Sequence, residues 1–171
     1  MTETTIRKAG EADAKVLAAL SRATFASTFA HMYPADDLRR FLKKSYALAK
    51  TRRELADPAI GVWLLEAGGA PVGYALAGPC SLPNAEVTPA CGELKRLYLM
   101  PGWQGGGRGS RLLEAALAWL ERDGPRRIWI GVYSENVGAQ RLYRRYGFEK
   151  VGEHEFVVGS TVDREFTLRR G

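Results

Sequence analysis

A glycine-rich segment in the second half of the chain has the composition of a phosphate-binding turn. Four of the five residues from Gly105 to Gly109 are glycine, and they lie between an apolar run at 94–100 and an amphipathic run at 112–120. This order predicts a strand that enters a helix through a tight turn. Glycine lets consecutive backbone N–H groups point to one spot, and a helix N-terminus adds partial positive charge there. The segment therefore predicts a site for a phosphorylated ligand.

Neither of two common nucleotide-binding patterns fits this segment. The P-loop pattern GxxxxGK[ST] can start at Gly102, but Arg108 and Gly109 then stand where Lys and Ser or Thr must reach the phosphates and Mg²⁺. The dinucleotide pattern GxGxxG can start at Gly105, but Ser110 replaces the third glycine. That pattern also belongs in a first βα unit, whereas this segment comes late in the chain. Both patterns are therefore rejected.

Two spaced motifs do fit the chain. Gln104 opens a QxxGxG motif that follows a strand ending LYLMP, and Asn136 opens a second motif, NxxAxxxYxxxGF, which ends at Phe148. Together these motifs resemble those of the GNAT family of N-acetyltransferases, and the resemblance extends over about 93–156. It implies the acyl-CoA N-acyltransferase fold and direct transfer of an acetyl group from acetyl-CoA to an amine.

The resemblance also implies which residues bind acetyl-CoA. Backbone groups of Leu97, Tyr98 and Leu99 would pair with the pantetheine arm, and one backbone N–H near Leu99 would polarise the thioester carbonyl. Asn136 would bond the same arm, and Gln104 would help to fix the turn. The pyrophosphate would lie against the turn formed by Gly105, Gly106, Gly107, Arg108, Gly109 and Ser110. Nearby arginines that could meet the CoA phosphates are Arg108, Arg111, Arg141, Arg144 and Arg145.

Acetyl transfer needs an acid for the departing thiolate and a base for the amine. By resemblance the acid is Tyr143, although this tyrosine also lies on the apolar stripe of its predicted helix, where core packing is the alternative. Glu93, at the start of the strand before the turn, is the first candidate for the base, with a solvated strand-end charge as the alternative. His154 is the second candidate, with a structural role as its alternative. His31 and Tyr33 are candidates for lining the acceptor site.

Alternating strands and helices must position these groups. Periodicity predicts the order β α α β β β α β α β β, within one domain of residues 1–171. This order predicts a mixed α/β fold in which a central, mostly antiparallel sheet is flanked by helices. We expect Asp36 or Asp37 to cap the second helix, and one helical turn at 51–55. The predicted strands are 4–9, 62–66, 71–77, 93–99, 127–133, 148–158 and 162–168.

Composition restricts the remaining classes of function. The chain has 171 residues, 46% of them apolar and 26% charged, which is ordinary for a globular domain. It has neither a run long enough to span a membrane nor a signal peptide, so we expect a cytoplasmic protein. The net charge of +6 comes from basic residues spread along the chain, so no nucleic-acid partner is predicted. Cys80 and Cys91 match no zinc pattern, and we expect reduced thiols and no metal.

The acceptor amine is left open by the sequence. The segments TFASTFAHMY and GEHEFVVGSTVDREFTLRR resemble a bacterial branch of the family that acetylates spermidine and related polyamines. An acidic cleft for such a polycation would come from Glu93, Asp36, Asp37, Glu153 and Glu155. Acetylation of a protein N-terminus, a lysine or an amino-sugar antibiotic is an alternative. A CoA-binding regulatory or nucleic-acid-binding module is the non-enzymatic alternative, and a homodimer is a further expectation.

Overall fold

The computed structural model describes residues 2–171, and these form seven strands and five α-helices. The elements in chain order are β1 (Thr4–Lys8), α1 (Ala14–Phe29), α2 (Ala35–Ser45), α3 (Leu48–Ala56), β2 (Gly61–Ala67), β3 (Ala70–Pro79), β4 (Gly92–Leu99), α4 (Arg108–Leu120), β5 (Ile128–Tyr133), α5 (Val137–Arg145), β6 (Glu149–Val158) and β7 (Thr161–Arg170). The predicted mixed α/β fold is confirmed.

All seven strands belong to one sheet with the order β1-β2-β3-β4-β5-β7-β6. Neighbouring strands are antiparallel except at the centre, where β4 and β5 run parallel. Since α4 connects β4 to β5, this pair is a βαβ crossover, as the strand–turn–helix pattern predicts. The last two strands exchange their places, so that β7 rather than β6 lies beside β5.

The central pair β4 and β5 separates soon after it begins. Only Gly92 and Glu93 of β4 pair with β5, opposite Ile128 and Trp129. On the other side of β4 the pairing with β3 shifts by one residue at Lys95, since Leu76 faces Arg96 and Ala77 faces Leu94. Such a β-bulge bends its strand and increases the local twist. The second half of β4 therefore diverges from β5, and its backbone groups on that side are left for another partner.

Helices cover both faces of the sheet because successive strand residues point to opposite sides. On one face, the apolar stripe of α4, with Leu112 and Leu113 fully buried, packs against Leu65, Ala75 and Ile130. On the other face, Leu17 of α1 packs against Leu64 and Leu76. The same alternation places Leu97 and Leu99 toward α4, and Tyr98 toward α1. The site residues on β4 are therefore divided between the two faces.

The helical region before β2 differs from the prediction in two places. Helix α2 begins at Ala35 with Pro34 at the N-cap, so neither Asp36 nor Asp37 caps it. Both aspartates instead lie in the first turn, where the helix dipole favours negative charge. The helical turn expected at 51–55 is the separate helix α3, which extends from Leu48 to Ala56. Because α3 has no side-chain cap at its start, the sequence pattern gives little indication of where this helix begins and ends.

A flap, defined as residues 30–45, is fastened to the β6–β7 hairpin. The carboxylate of Asp37 accepts hydrogen bonds from the backbone N–H and the hydroxyl of Ser160, at 3.2 and 3.1 Å. The hydroxyl of Tyr33 donates to Asp163 at 2.5 Å. Burial, together with this bond, raises the pKa of the Tyr33 hydroxyl, which therefore remains the donor. Flap and hairpin thus enclose the α1 face of the sheet beside the divergence of β4 and β5.

Candidate active site

A cleft of about 840 Å³ lies where β4 diverges from β5, between the glycine turn and α5. This volume is within the ordinary range of small-molecule sites. Its lining includes most residues predicted to bind the cofactor, namely Leu97, Tyr98, Leu99, Gln104, Gly105, Gly107, Gly109, Ser110, Asn136 and Tyr143. Gly106 and Arg108 belong to the same turn but do not line the cleft. His31, expected in the acceptor site, lines this cleft instead.

The glycine turn has the backbone conformation that phosphate binding requires. Gly105, Gly106 and Gly107 have φ values of 81°, 61° and 75°, in the left-handed region that residues with a Cβ rarely adopt. Gly107 is also the N-cap of α4, so the turn ends at a free helix N-terminus. The guanidinium of Arg108 lies 5.4 Å from the Trp103 ring and donates to the Gly105 carbonyl at 3.3 Å. The turn is therefore braced by its own side chains.

Gly107→Ala should weaken acetyl-CoA binding about tenfold, because a left-handed non-glycine residue costs roughly 1–2 kcal/mol and the turn would relax away from the ligand. Nothing lies within 4 Å of the added Cβ, so backbone strain rather than a clash is tested. Calorimetric titration with acetyl-CoA measures the effect. Gly10→Ala is the matched control, since Gly10 has open space and a φ of −123°. Equal affinity of both variants would contradict the assignment of the turn.

The neighbouring walls of the cleft offer backbone and side-chain polar groups. Leu97 pairs with Ala75 of β3 on one edge, but past Glu93 no residue of β4 pairs with β5 in the described part of the chain. Asn136 caps α5, with its side-chain oxygen accepting the Ala139 N–H at 3.2 Å. The carboxamide nitrogen of Asn136 is thereby the group left to meet a ligand. An extended amide-containing ligand could lie along β4 as an added strand.

Tyr143 is buried on α5, with 6% of its surface exposed, and its ring lies 6.3 Å from that of Phe148. It also lines the cleft, so packing and contact with a ligand occur together. Burial alone raises the pKa of its hydroxyl, because the phenolate would be desolvated. Tyr143 therefore keeps its proton at neutral pH and can give it up as an acid. Tyr146 differs, because its hydroxyl donates to Glu114 at 2.6 Å outside the cleft.

A second cavity, of about 240 Å³, lies on the α1 face and shares Phe29, Tyr98 and Tyr133 with the cleft. These aromatic residues are the junction between the two spaces. The rest of its lining comes from α1, the flap, four strands and the loop before β4: Phe25, Tyr33, Leu82, Glu93, Lys95, Gly131, His154, Phe156, Asp163 and Glu165. The cavity thus brings together three residues that were predicted separately, namely Glu93, His154 and Tyr33.

Glu93 is held firmly at the wall of this cavity, with 6% of its surface exposed. One carboxylate oxygen accepts the Ser81 N–H at 3.0 Å and lies 3.1 Å from the Lys95 ammonium. The alternative of a solvated strand-end charge is wrong, because β4 starts inside the sheet beside β5 rather than at its margin. A buried carboxylate in the wall of the cavity can receive a proton from an amine bound there, directly or through water.

The acidic residues of the cavity are not the ones expected. Of the five predicted, only Glu93 lines it, while Asp37 bonds Ser160 on the surface and Glu153 pairs with Lys150 at 2.7 Å. Asp36 and Glu155 also lie outside the lining. Asp163 and Glu165 of β7 provide the other carboxylates. Their alternation with Arg164 and Phe166 was the available signal, because residues two apart share a face of a strand.

The arginines predicted to lie near the CoA phosphates occupy different places in the structure. Arg145 lines the cleft, and Arg108 braces its turn. Arg111 instead binds the hydroxyl of Thr4 on β1 at 3.0 Å, because its position on α4 points away from the turn. Arg144 lines a different groove beside Phe166. Of the candidates for the CoA phosphates, Arg108 and Arg145 thus lie at the turn or the cleft, while Arg111 and Arg144 contact other parts of the protein.

Comparison with known protein families identifies the family of this chain. The Acetyltransferase (GNAT) family model matches residues 23–148. This chain belongs to the GNAT family. It is 31% identical over 170 residues to the uncharacterized N-acetyltransferase in the pepI 3′ region of Lactobacillus delbrueckii subsp. lactis, covering 99% of this chain and 98% of that protein. The GNAT protein described here is accordingly an acetyl-CoA-dependent N-acetyltransferase.

Two further similarities concern the fold of the chain and its relation to one branch of the GNAT family. The crystal structure of the PaiA N-acetyltransferase from Thermoplasma acidophilum in complex with coenzyme A has a TM-score of 0.78 at 20% identity, over 98% of each chain, which shows the shared GNAT fold. The spermine/spermidine N(1)-acetyltransferase of Bacillus subtilis (strain 168) is 36% identical over 64 residues, 37% of this chain and 42% of that protein. That match therefore extends over little more than a third of this chain.

Metal-binding groups, membrane-spanning helices and cysteines can be described for residues 2–171. Within 2–171 no group of three or more histidine, cysteine or carboxylate side chains is arranged to hold a metal ion. No helix in that range has the length and apolar character needed to cross a membrane. Cys80 and Cys91 are free thiols, and the Cys80 N–H donates to the Cys91 carbonyl at 3.2 Å.

Proposed function

We propose that this GNAT enzyme acetylates a primary amine of a small cationic molecule, with polyamines favoured over peptides. The observation that carries the proposal is the charge of the second cavity. Three carboxylates, from Glu93, Asp163 and Glu165, face one ammonium, from Lys95, in a chain whose net charge is +6. A locally acidic, aromatic-lined space in a basic protein favours a positively charged acceptor.

Size and enclosure favour a small acceptor. The cavity measures about 240 Å³ and is closed on one side by the flap, through Tyr33 to Asp163 and Asp37 to Ser160. An extended peptide needs a longer open groove or a free sheet edge. The partial similarity to a spermine/spermidine N(1)-acetyltransferase supports the polyamine choice.

In the proposed reaction, acetyl-CoA lies in the cleft with its pyrophosphate at the glycine turn and its pantetheine arm along Leu97–Leu99 and Asn136. The acceptor enters the second cavity, and its thioester-facing amine lies at the junction formed by Phe29, Tyr98 and Tyr133. An aliphatic amine has a pKa of about 10 and arrives protonated. Glu93, directly or through water, takes that proton so that the nitrogen lone pair becomes available.

The amine nitrogen then attacks the thioester carbonyl carbon, forming the C–N bond. The developing oxyanion is stabilised by a backbone N–H near Leu99 on the unpaired edge of β4. The C–S bond breaks as the tetrahedral intermediate collapses, and Tyr143 gives its phenolic proton to the departing thiolate. The second proton of the former ammonium leaves the new amide nitrogen and, through water, restores the Tyr143 hydroxyl, while the proton on Glu93 passes to solvent. Neither Cys80 nor Cys91 lines the cleft or the cavity, so the transfer is direct, without an acetylated cysteine.

The test is thiol release from acetyl-CoA in the presence of polyamines, peptides with a free N-terminus or lysine, and aminoglycosides. We expect turnover with small polyamines and little with peptides. Preferred turnover of peptides would show a protein or peptide acetyltransferase instead. Acetyl-CoA binding without turnover of any amine would support the alternative of a regulatory CoA-binding module.

A further inference from the structure

His154 and Glu165, which line the second cavity, form a hydrogen-bonded chain of side chains with Thr167. His154 lies between two residues of β7, with Nδ1 at 2.7 Å from the Thr167 hydroxyl and Nε2 at 3.0 Å from Glu165. The side chain of His154 is 8% exposed and that of Glu165 is 19% exposed, while Thr167 is buried. Neither Glu165 nor Thr167 takes part in the proton transfers of the proposed reaction.

The direction of these hydrogen bonds fixes the carboxylate. A neutral histidine donates through Nε2–H to Glu165 and accepts the Thr167 hydroxyl proton on Nδ1. A protonated histidine keeps both contacts, since the Thr167 hydroxyl can turn to accept. In both states one oxygen of Glu165 is held by the ring. His154 therefore orients Glu165 and leaves its second oxygen for another partner.

The backbone of β5 makes room for this pair. A Cβ at Gly131 would lie 3.0 Å from the Glu165 oxygen and 3.1 Å from the His154 ring. The carboxylate of Glu165 thus lies over the centre of β5, although Glu165 itself faces Tyr133 in the register. A side chain at position 131 would push the pair out of place.

The same register gives the separation from Glu93. Glu93 faces Trp129, and Gly131 is two residues further along β5. Two residues along a strand and one strand spacing place the Glu165 carboxylate on the order of 8 Å from the Glu93 backbone. Lys95 is engaged with Glu93, and Asp163 is engaged with Tyr33. Among residues 2–171, the only hydrogen-bond partner of the Glu165 carboxylate is therefore the His154 ring.

We infer that Glu165 is a specificity-determining residue, which binds a positively charged group of the acceptor other than the amine that is acetylated. His154, Thr167 and Gly131 are its positioning residues. The inference rests on the proposed function, and it identifies the acceptor as a molecule with two ammonium groups a few carbon atoms apart. One ammonium lies at Glu93 and the other lies at Glu165, both in the lining of the second cavity.

The test compares 1,4-diaminobutane with butylamine, which has the same carbon chain and one nitrogen fewer. The wild-type enzyme should prefer the diamine in kcat/KM. Glu165→Gln should raise KM for the diamine about 10- to 100-fold, because a hydrogen bond to a charged partner is lost. Its KM values for butylamine and acetyl-CoA should stay unchanged, which also shows that the variant is folded.

Two variants complete the design. Glu155→Gln removes the same charge from an exposed position next to His154 on β6 and should keep the wild-type preference. Gly131→Ala leaves every charge in place but displaces the pair, and should lower the preference for the diamine. A purely structural role of the pair would change both amines equally in both Glu165→Gln and Gly131→Ala, and would overturn the inference.

A binding measurement separates this inference from the proposed function. Calorimetric titration of the protein with 1,4-diaminobutane should show binding that Glu165→Gln weakens about tenfold or more. Such binding without acetylation would refute the proposed function and leave the role of Glu165 standing. If the wild type acetylated both amines equally well, or if Glu165→Gln left the wild-type preference unchanged, the role of Glu165 would be refuted. The acetyltransferase activity would still stand.

Discussion

Tyr143→Phe is expected to lower kcat about 100-fold or more while leaving acetyl-CoA affinity nearly intact, because general acid catalysis contributes typically 10²–10⁴-fold. Only the hydroxyl is removed, and the ring contact with Phe148 and the burial on α5 are retained. The raised pKa of this hydroxyl means that the wild-type residue carries its proton throughout the neutral range. Steady-state kinetics, together with titration of acetyl-CoA, measures the two effects separately.

Tyr146→Phe is the matched control on the same helix. It also removes one phenolic hydroxyl, but that hydroxyl bonds Glu114 outside the cleft. Its kcat should be that of the wild type. If both variants kept full turnover, the thiolate would be leaving without help from Tyr143, and the tyrosine would be a packing residue.

Glu93→Gln is expected to lower kcat/KM for the amine about 100- to 1,000-fold at neutral pH, because an amide at this position cannot take the proton of the amine. Glutamine has the same shape and can keep accepting the Ser81 N–H, so the start of β4 should be undisturbed. KM for acetyl-CoA should not change. The measurement is initial rate against amine concentration at saturating acetyl-CoA.

The control for this prediction is Glu86→Gln, an exposed glutamate in the loop before β4 that pairs with Arg169. It should behave as the wild type. Two results together would assign the role of base to Glu165 instead. Glu93→Gln would keep full activity, and Glu165→Gln would show a large loss of kcat rather than a rise of KM. The kcat and KM values therefore distinguish the two carboxylates.

The donor side of the site could be predicted from the sequence because it is built from local chemistry. Gly107 must be glycine to end the turn in the left-handed region, and Asn136 is a strong N-cap that fixes the start of α5. Tyr143 then follows at a fixed helical spacing. Each of these signals is decided by backbone conformation within a few residues, and none depends on which strands become neighbours.

The acceptor side could be predicted only in part because it is assembled from distant strands. His154 and Glu165 meet because β7 lies between β5 and β6, an order that no short pattern contains. Glu153 and Glu155 lie outside the lining of the second cavity, because a shift of one residue moves a side chain to the opposite face of a strand. The bulge at Lys95, which separates β4 from β5, likewise depends on pairing with β3.

The short pairing between β4 and β5 has a consequence for the energetics of the whole molecule. Two residue pairs join one half-sheet, β1 to β4, to the other, β5 with β7 and β6. A ligand laid along the open edge of β4 and held by α5 would supply hydrogen bonds that the sheet itself lacks at this seam. Ligand binding to the native state alone adds stability by mass action. The resistance of this protein to unfolding would then rise and fall with the cellular supply of its acetyl donor.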